Sequence, residues 1–257
     1  MTKKDLRDTA RPGNRAGFSV DQHVFPESAI KRFGSGPEFK VHVQRLIAKS
    51  AKHYAPGADM FCATRAWDET TEKERSRKVE GEYKALADQV ASRAVQSLTA
   101  EQDRVATEFY ALWKARHLAR TKPLGALAVP NVTAEPQLSW DARENLEKNR
   151  YLYANEGAIP SHMAGAIQVF ASRLHTRRAM KDCHWGIVTA ASGEFLVPDD
   201  CADLGVIPVA PTTCLAVNAP DCLVDLAEVA RVNGLLRGVV HAYYFARDLR
   251  ACPLPPR

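Results

Sequence analysis

Gln22-His23-Val24-Phe25-Pro26, running on through Ile30 and Phe33 to Gly34, is the stretch from which the rest of the chain can be read. Pro26 suits the first turn of a helix, because its missing N–H would find no partner there anyway. Glu27 to Phe33 therefore reads as a short helix that buries Ile30 and Phe33 and closes at Gly34. The Ser35-Gly36-Pro37 turn leads into Phe39-Lys40-Val41-His42-Val43, whose alternation of apolar and polar residues is that of a half-buried strand. His23 is thereby placed on a loop at the entrance to a small helix-and-strand unit.

Upstream, residues 1–20 contain Pro12, Gly13 and Gly17 and no periodicity, and Lys3, Lys4, Arg7, Arg11 and Arg15 make them basic. They read as a flexible arm ahead of a single domain over residues 21–252. The arm has no apolar core of the kind a secretory signal needs, and nowhere is there a run of about 18 apolar residues. The expectation is a cytoplasmic protein with no membrane partner. Of the 257 residues, 46% are apolar and 25% charged, as in ordinary globular proteins, and the net charge is +5. The six cysteines, without any C-x-x-C spacing, are expected to be reduced thiols rather than disulfides or a zinc site.

Downstream, Glu72 to Ser97 has helical periodicity through Val79, Tyr83, Leu86 and Val90. Thr99 with Gln102 forms a capping box that starts a second helix, ending near Arg120, and the two should pack as an antiparallel hairpin. Ser139 to Tyr153 reads as a third helix. Pro160-Ser161 opens a fourth, with Met163, Ile167, Phe170 and Leu174 as its buried stripe and a basic end at Arg173, Arg177, Arg178 and Lys181. Beyond Asp182 come strand-like segments: Trp185 to Ala190 and Glu194 to Val197 as a hairpin, then Gly205 to Val209 and Thr213 to Val217. Val224 to Leu249 reads as a long terminal helix. The fold class is α+β: a mostly helical middle, a small antiparallel sheet formed by N-terminal and C-terminal strands, and a closing C-terminal helix.

On these residues the chain resembles a bacterial family called domain of unknown function 4238. The shared features are Gln22, His23, Pro26, Ile30 and Phe33 at the start, and Glu80 or Glu82 with Arg120-Thr121-Lys122-Pro123 around the helix pair. Trp185 on a strand and the turn Val197-Pro198-Asp199-Asp200-Cys201 complete the set. The family's last motif reads Ser-Asp-Asn-Pro, so Asp199 is the matching carboxylate and the rest of that turn departs. The resemblance implies site locations and no activity.

A loop histidine, a helical glutamate and an aspartate after a strand are ligand types for a hard divalent ion such as Mg or Mn. Such an ion lowers the pKa of a bound water and supports phosphodiester hydrolysis. On this reading His23, Glu82 and Asp199 hold the metal, while Arg120 or Arg116 balances charge on a phosphoryl group. Gln22, Arg177, Arg178 and Trp185 would touch the substrate of what would be a metal-dependent hydrolase, a nuclease of toxin or phage-defence type. Each residue also has a plainer role. His23 can donate its ring N–H to a carbonyl, Glu82 can face solvent, Asp199 can cap a turn, Arg120 can hold carbonyls, and Trp185 can be core. The alternative is a non-catalytic module that binds nucleic acid or another anionic partner through the basic helix end.

Overall fold

A computed structural model describes residues 11–132 and 137–256. The chain opens with β1 (Asp21–His23), α1 (Glu27–Lys31), β2 (Val41–Arg45), β3 (Lys52–Tyr54) and β4 (Cys62–Thr64). A π-helical turn over Thr71–Ser76 leads into α2 (Arg77–Ala91), followed by α3 (Ala100–Thr121), β5 (Leu127–Ala128), α4 (Trp140–Lys148), β6 (Ala158–Ile159) and α5 (Ser161–Ala179). The C-terminal part carries β7 (Trp185–Ala190), β8 (Val197–Pro198), β9 (Val206–Ala210), β10 (Thr213–Val217), β11 (Cys222–Val224), α6 (Leu226–Gly238) and β12 (Tyr243–Ala246). The α+β class read from the sequence is the one observed.

Local chemistry sets several boundaries. Thr99 and Gln102 exchange side-chain and backbone hydrogen bonds at the start of α3, the reciprocal capping box. Asp225 caps α6 by accepting from the Glu228 N–H. Gly34 lets the loop close through the Ser35–Lys40 bridge, since a Cβ there would stand 2.3 Å from the Phe39 carbonyl oxygen. The helix hairpin is antiparallel: Tyr83 stacks on Phe109 at 3.5 Å, and Gln102 donates to Gln89. Its connection, Ser92 to Thr99, is longer than a first helix running to Ser97 would leave, because α2 ends at Ala91.

The strands depart most from the sequence reading. Instead of one antiparallel sheet there are two of four strands, ordered β11-β7-β10-β9 and β3-β2-β12-β8. The first comes wholly from the C-terminal third and includes a parallel pair, β11 with β7. Only the second joins the two ends of the chain. The expected hairpin between Trp185–Ala190 and Glu194–Val197 does not form; β7 pairs with β10 and β11, and Val197–Pro198 crosses to β12. The long terminal helix is also corrected: Val224 is strand and α6 stops at Gly238. Tyr243–Ala246 is then drawn out between β2 and β8, where Tyr243 and Phe245 alternate into the core.

The main core gathers Phe25, Phe33, Phe61, Phe109, Trp113 and Phe245 around the opening stretch, and a second lies under α6 with Phe195, Val229 and Leu236. The expected arm lies partly outside the described residues, which begin at Arg11. From there the chain docks: Phe18 is buried under the Arg65 guanidinium, and the Ser19 N–H donates to Glu69. The stripe assigned to α5 is rotated. His162, Met163, Ala166 and Val169 are buried, whereas Ile167 and Phe170 are 42% and 57% exposed. Gly165 dictates this orientation, because a Cβ there would meet the Ala66 carbonyl oxygen at 1.8 Å.

Candidate functional site

The residues of the opening stretch and its partner turn serve the backbone. Gln22 is fully buried on β1; its amide donates to the Trp67 carbonyl at 2.9 Å and accepts from the Trp67 N–H at 3.1 Å. His23 Nε2 lies 3.2 Å from the Pro56 carbonyl oxygen, the bracing contact foreseen as its plainer role. Asp199, buried after β8, uses both carboxylate oxygens at 2.8 Å on the His241 and Ala242 N–H groups, which fixes the entry to β12. Arg120 donates to the Met60 carbonyl at 2.8 Å and stands over the Tyr243 ring. Trp185 is core, its indole N–H donating to Thr107 at 2.9 Å.

The proposed metal ligands therefore carry other partners. Glu82 is exposed on α2 beside Lys78, and Glu80 pairs with the buried Arg116, which also binds Glu72 at 3.1 Å. No group of three or more His, Cys, Asp or Glu side chains suited to a metal occurs among the described residues. What the Asp199 turn does assemble is His117, which sequence reasoning missed. Its Nδ1–H donates to the Asp199 carbonyl at 2.9 Å, and Nε2 lies 3.4 Å from Asp200. Burial pushes its pKa below the ordinary histidine value, against the pull of the Asp200 and Asp199 carboxylates.

Two other regions carry more open chemistry. The first is a run of clefts along the exposed face of α5. Arg75, Lys78, Arg104, Arg173 and Arg177 line one of about 390 Å³. Arg104, Arg177, Arg178 and Lys181 line the next, of about 490 Å³. A third, of about 220 Å³, continues the run past Phe170 to Arg150 and Tyr151. Glu108 takes up Arg173 and Arg177 at 3.1 and 2.5 Å, and Glu101 and Asp182 each pair with a cation at the rim. Arg75 and Arg178 have no carboxylate partner among the described residues. Phe170 and Tyr151, both more than half exposed, stand among these cations.

The second is a buried ionic network at the junction of α4 and α5. The Glu147 carboxylate takes the Arg65 guanidinium at 2.6 and 2.7 Å, the Glu69 N–H at 3.0 Å and His162 Nε2 at 3.1 Å. Burial alone would raise the pKa of Glu147, but His162, Arg65 and the Glu69 N–H together hold it below the ordinary value. No sequence signal marks this trio, because its members are separated by 82 and 15 positions.

Comparison with protein-family models, with curated proteins and with solved structures finds no match. The resemblance to domain of unknown function 4238 read from the sequence has no support beyond its short motifs.

Proposed function

We propose that the protein binds single-stranded nucleic acid along α5 and that the Arg177–Arg178 end anchors the phosphate backbone. The observation that carries this reading is the interleaving of exposed aromatics with cations along three connected clefts: Phe170 and Tyr151 stand beside Arg75 in one, and Arg75, Lys78, Arg104, Arg173, Arg177, Arg178 and Lys181 line the other two. Three carboxylates, Glu82, Asp103 and Glu108, share that lining, so the surplus is positive. Guanidinium groups contact phosphates at any sequence, and each base offers a π-face to an aromatic ring. Metal-dependent hydrolysis through His23, Glu82 and Asp199 has less support, since His23 Nε2 and both carboxylate oxygens of Asp199 already hold backbone groups and Glu82 stands apart in solvent.

The test is fluorescence anisotropy with a labelled single-stranded oligonucleotide over a range of salt. The affinity is expected to fall steeply with salt, as released counterions require. Arg177→Glu combined with Arg178→Glu should abolish binding. Phe170→Ala should weaken it by about 1–3 kcal/mol, the worth of one stacked base. Salt-independent binding, or indifference to the double charge reversal, overturns the reading.

A further inference from the structure

The β2–β3 hairpin ends in a tip, Leu46 to Ala51, that turns apolar side chains to solvent. Ile47 is 86% exposed, the highest value for a large apolar side chain among the described residues, and Leu46 beside it is 54% exposed. Single apolar residues scattered over a surface call for no explanation, whereas an adjacent pair fixed outward does. The tip is fixed. The Gln44 amide donates to the Arg45 and Ala48 carbonyls, each at 2.8 Å, and the Ala48 N–H donates to the Arg45 carbonyl at 3.1 Å. The Leu46 N–H donates to the Ala242 carbonyl at 2.9 Å, and below it β2 is paired with β3 on one side and β12 on the other.

Cations flank the pair. Arg45 precedes it, Lys49 follows it and Lys52 opens β3; all three are exposed, and none has a carboxylate partner among the described residues. No Asp or Glu occurs between Glu38 and Asp59, so the hairpin has no acidic residue of its own. An apolar projection inside a patch of unopposed positive charge is complementary to a layer that is anionic outside and apolar beneath.

We propose that this tip docks on an anionic lipid surface, with Leu46 and Ile47 entering the acyl boundary and Arg45, Lys49 and Lys52 meeting the headgroups. Apolar insertion and a basic patch are the two signals that together hold a peripheral protein on such a membrane. Lys and Arg suit the rim, because their stems lie along the apolar layer while the charge stays among the headgroups. No helix among the described residues is long and apolar enough to cross a membrane, which narrows the expectation of no membrane partner to no spanning one. Other occupants fit less well. A second copy would set the same three cations against themselves. Two aliphatic side chains fall far short of the roughly 800 Å² per partner that a stable protein interface buries. Unlike α5, the tip has no aromatic ring on which a base could stack.

The test is co-sedimentation of the full chain with vesicles of phosphatidylcholine alone and of phosphatidylcholine mixed with phosphatidylserine. Binding is expected to the mixed vesicles only, and to weaken as salt is added. Leu46→Ser combined with Ile47→Ser should lower it about tenfold or more by removing the apolar insertion. Lys49→Glu combined with Lys52→Glu should abolish it. All four positions are exposed, so the urea midpoint should not move in either variant. The serine variant should also keep its affinity for single- and double-stranded oligonucleotides. Equal binding to phosphatidylcholine alone, no binding to the mixed vesicles, or indifference to the serine pair overturns the proposal. So does a parallel loss of oligonucleotide affinity in the serine variant, which would make the tip part of a nucleic-acid surface. The α5 reading is tested separately, by Arg177 and Arg178.

Discussion

The Asp199 turn and the Glu147 junction are both buried and polar, yet their hydrogen bonds go to different kinds of partner. Asp199 at the turn, like Gln22 on β1 and Arg120 at the end of α3, spends its polar atoms on backbone N–H or C=O groups, which cannot change charge. At the junction, Glu147, Arg65 and His162 bind mostly one another, and one imidazole nitrogen is left over. Side chains that satisfy backbone groups are fold determinants wherever they sit in a motif. Side chains that satisfy each other are the ones whose bonds depend on protonation state.

The comparison can be broken by substitution. Glu147→Ala should be the most damaging change, destabilising by about 3–5 kcal/mol in urea unfolding, because the Arg65 guanidinium would stay buried without its counter-ion. If replacing Arg65 with Met at the same time failed to restore part of that loss, the account of the junction would be wrong. Asp199→Ala should cost about 2–4 kcal/mol by orphaning two backbone N–H groups at the entry to β12, with no effect on oligonucleotide affinity.

The two regions should also separate on a pH axis. His117 has a lowered folded-state pKa, so below about pH 6.5 the unfolded chain takes up a proton that the folded one resists, and stability falls with acidification from there. Glu147, with its own pKa lowered, stabilises above about pH 4.5 and loses that contribution as pH falls further. Urea midpoints between pH 7 and 5 should flatten in His117→Asn, whereas the loss below pH 4.5 should persist. The smallest effect belongs to Glu82→Ala, within about 0.5 kcal/mol, as for any exposed helical position without a structural partner of consequence.

Legibility in the sequence followed the range of the interactions. The capping box at Thr99, the α2–α3 hairpin and the separate strands β9 and β10 are local, and their periodicities and caps identify them. The course of Tyr243–Ala246 was not legible, because its apolar spacing continues that of α6 and only pairing with β2 and β8 decides for strand. In α5, Ile167 and Phe170 fit a buried stripe as well as their neighbours do. The close approach of Gly165 to Ala66 rotates the helix, and that contact lies about a hundred residues away in sequence. His23 and Asp199 were legible as fixed points but not as to purpose, since a motif does not say whether a side chain faces a ligand or a carbonyl. The Glu147 network left no local signature at all.

The position of β12 has a consequence for biosynthesis. Phe245 pairs with Val43, so the middle of one sheet is contributed by residues made long after the strand that waits for them. At translation rates of about 5–20 residues per second, β2 would stand with one open edge for roughly 10–40 s. During that interval Val41 and Val43 offer a template to any neighbouring chain. Yield on overexpression should therefore depend more on synthesis rate and holding chaperones than on the stability of the finished fold.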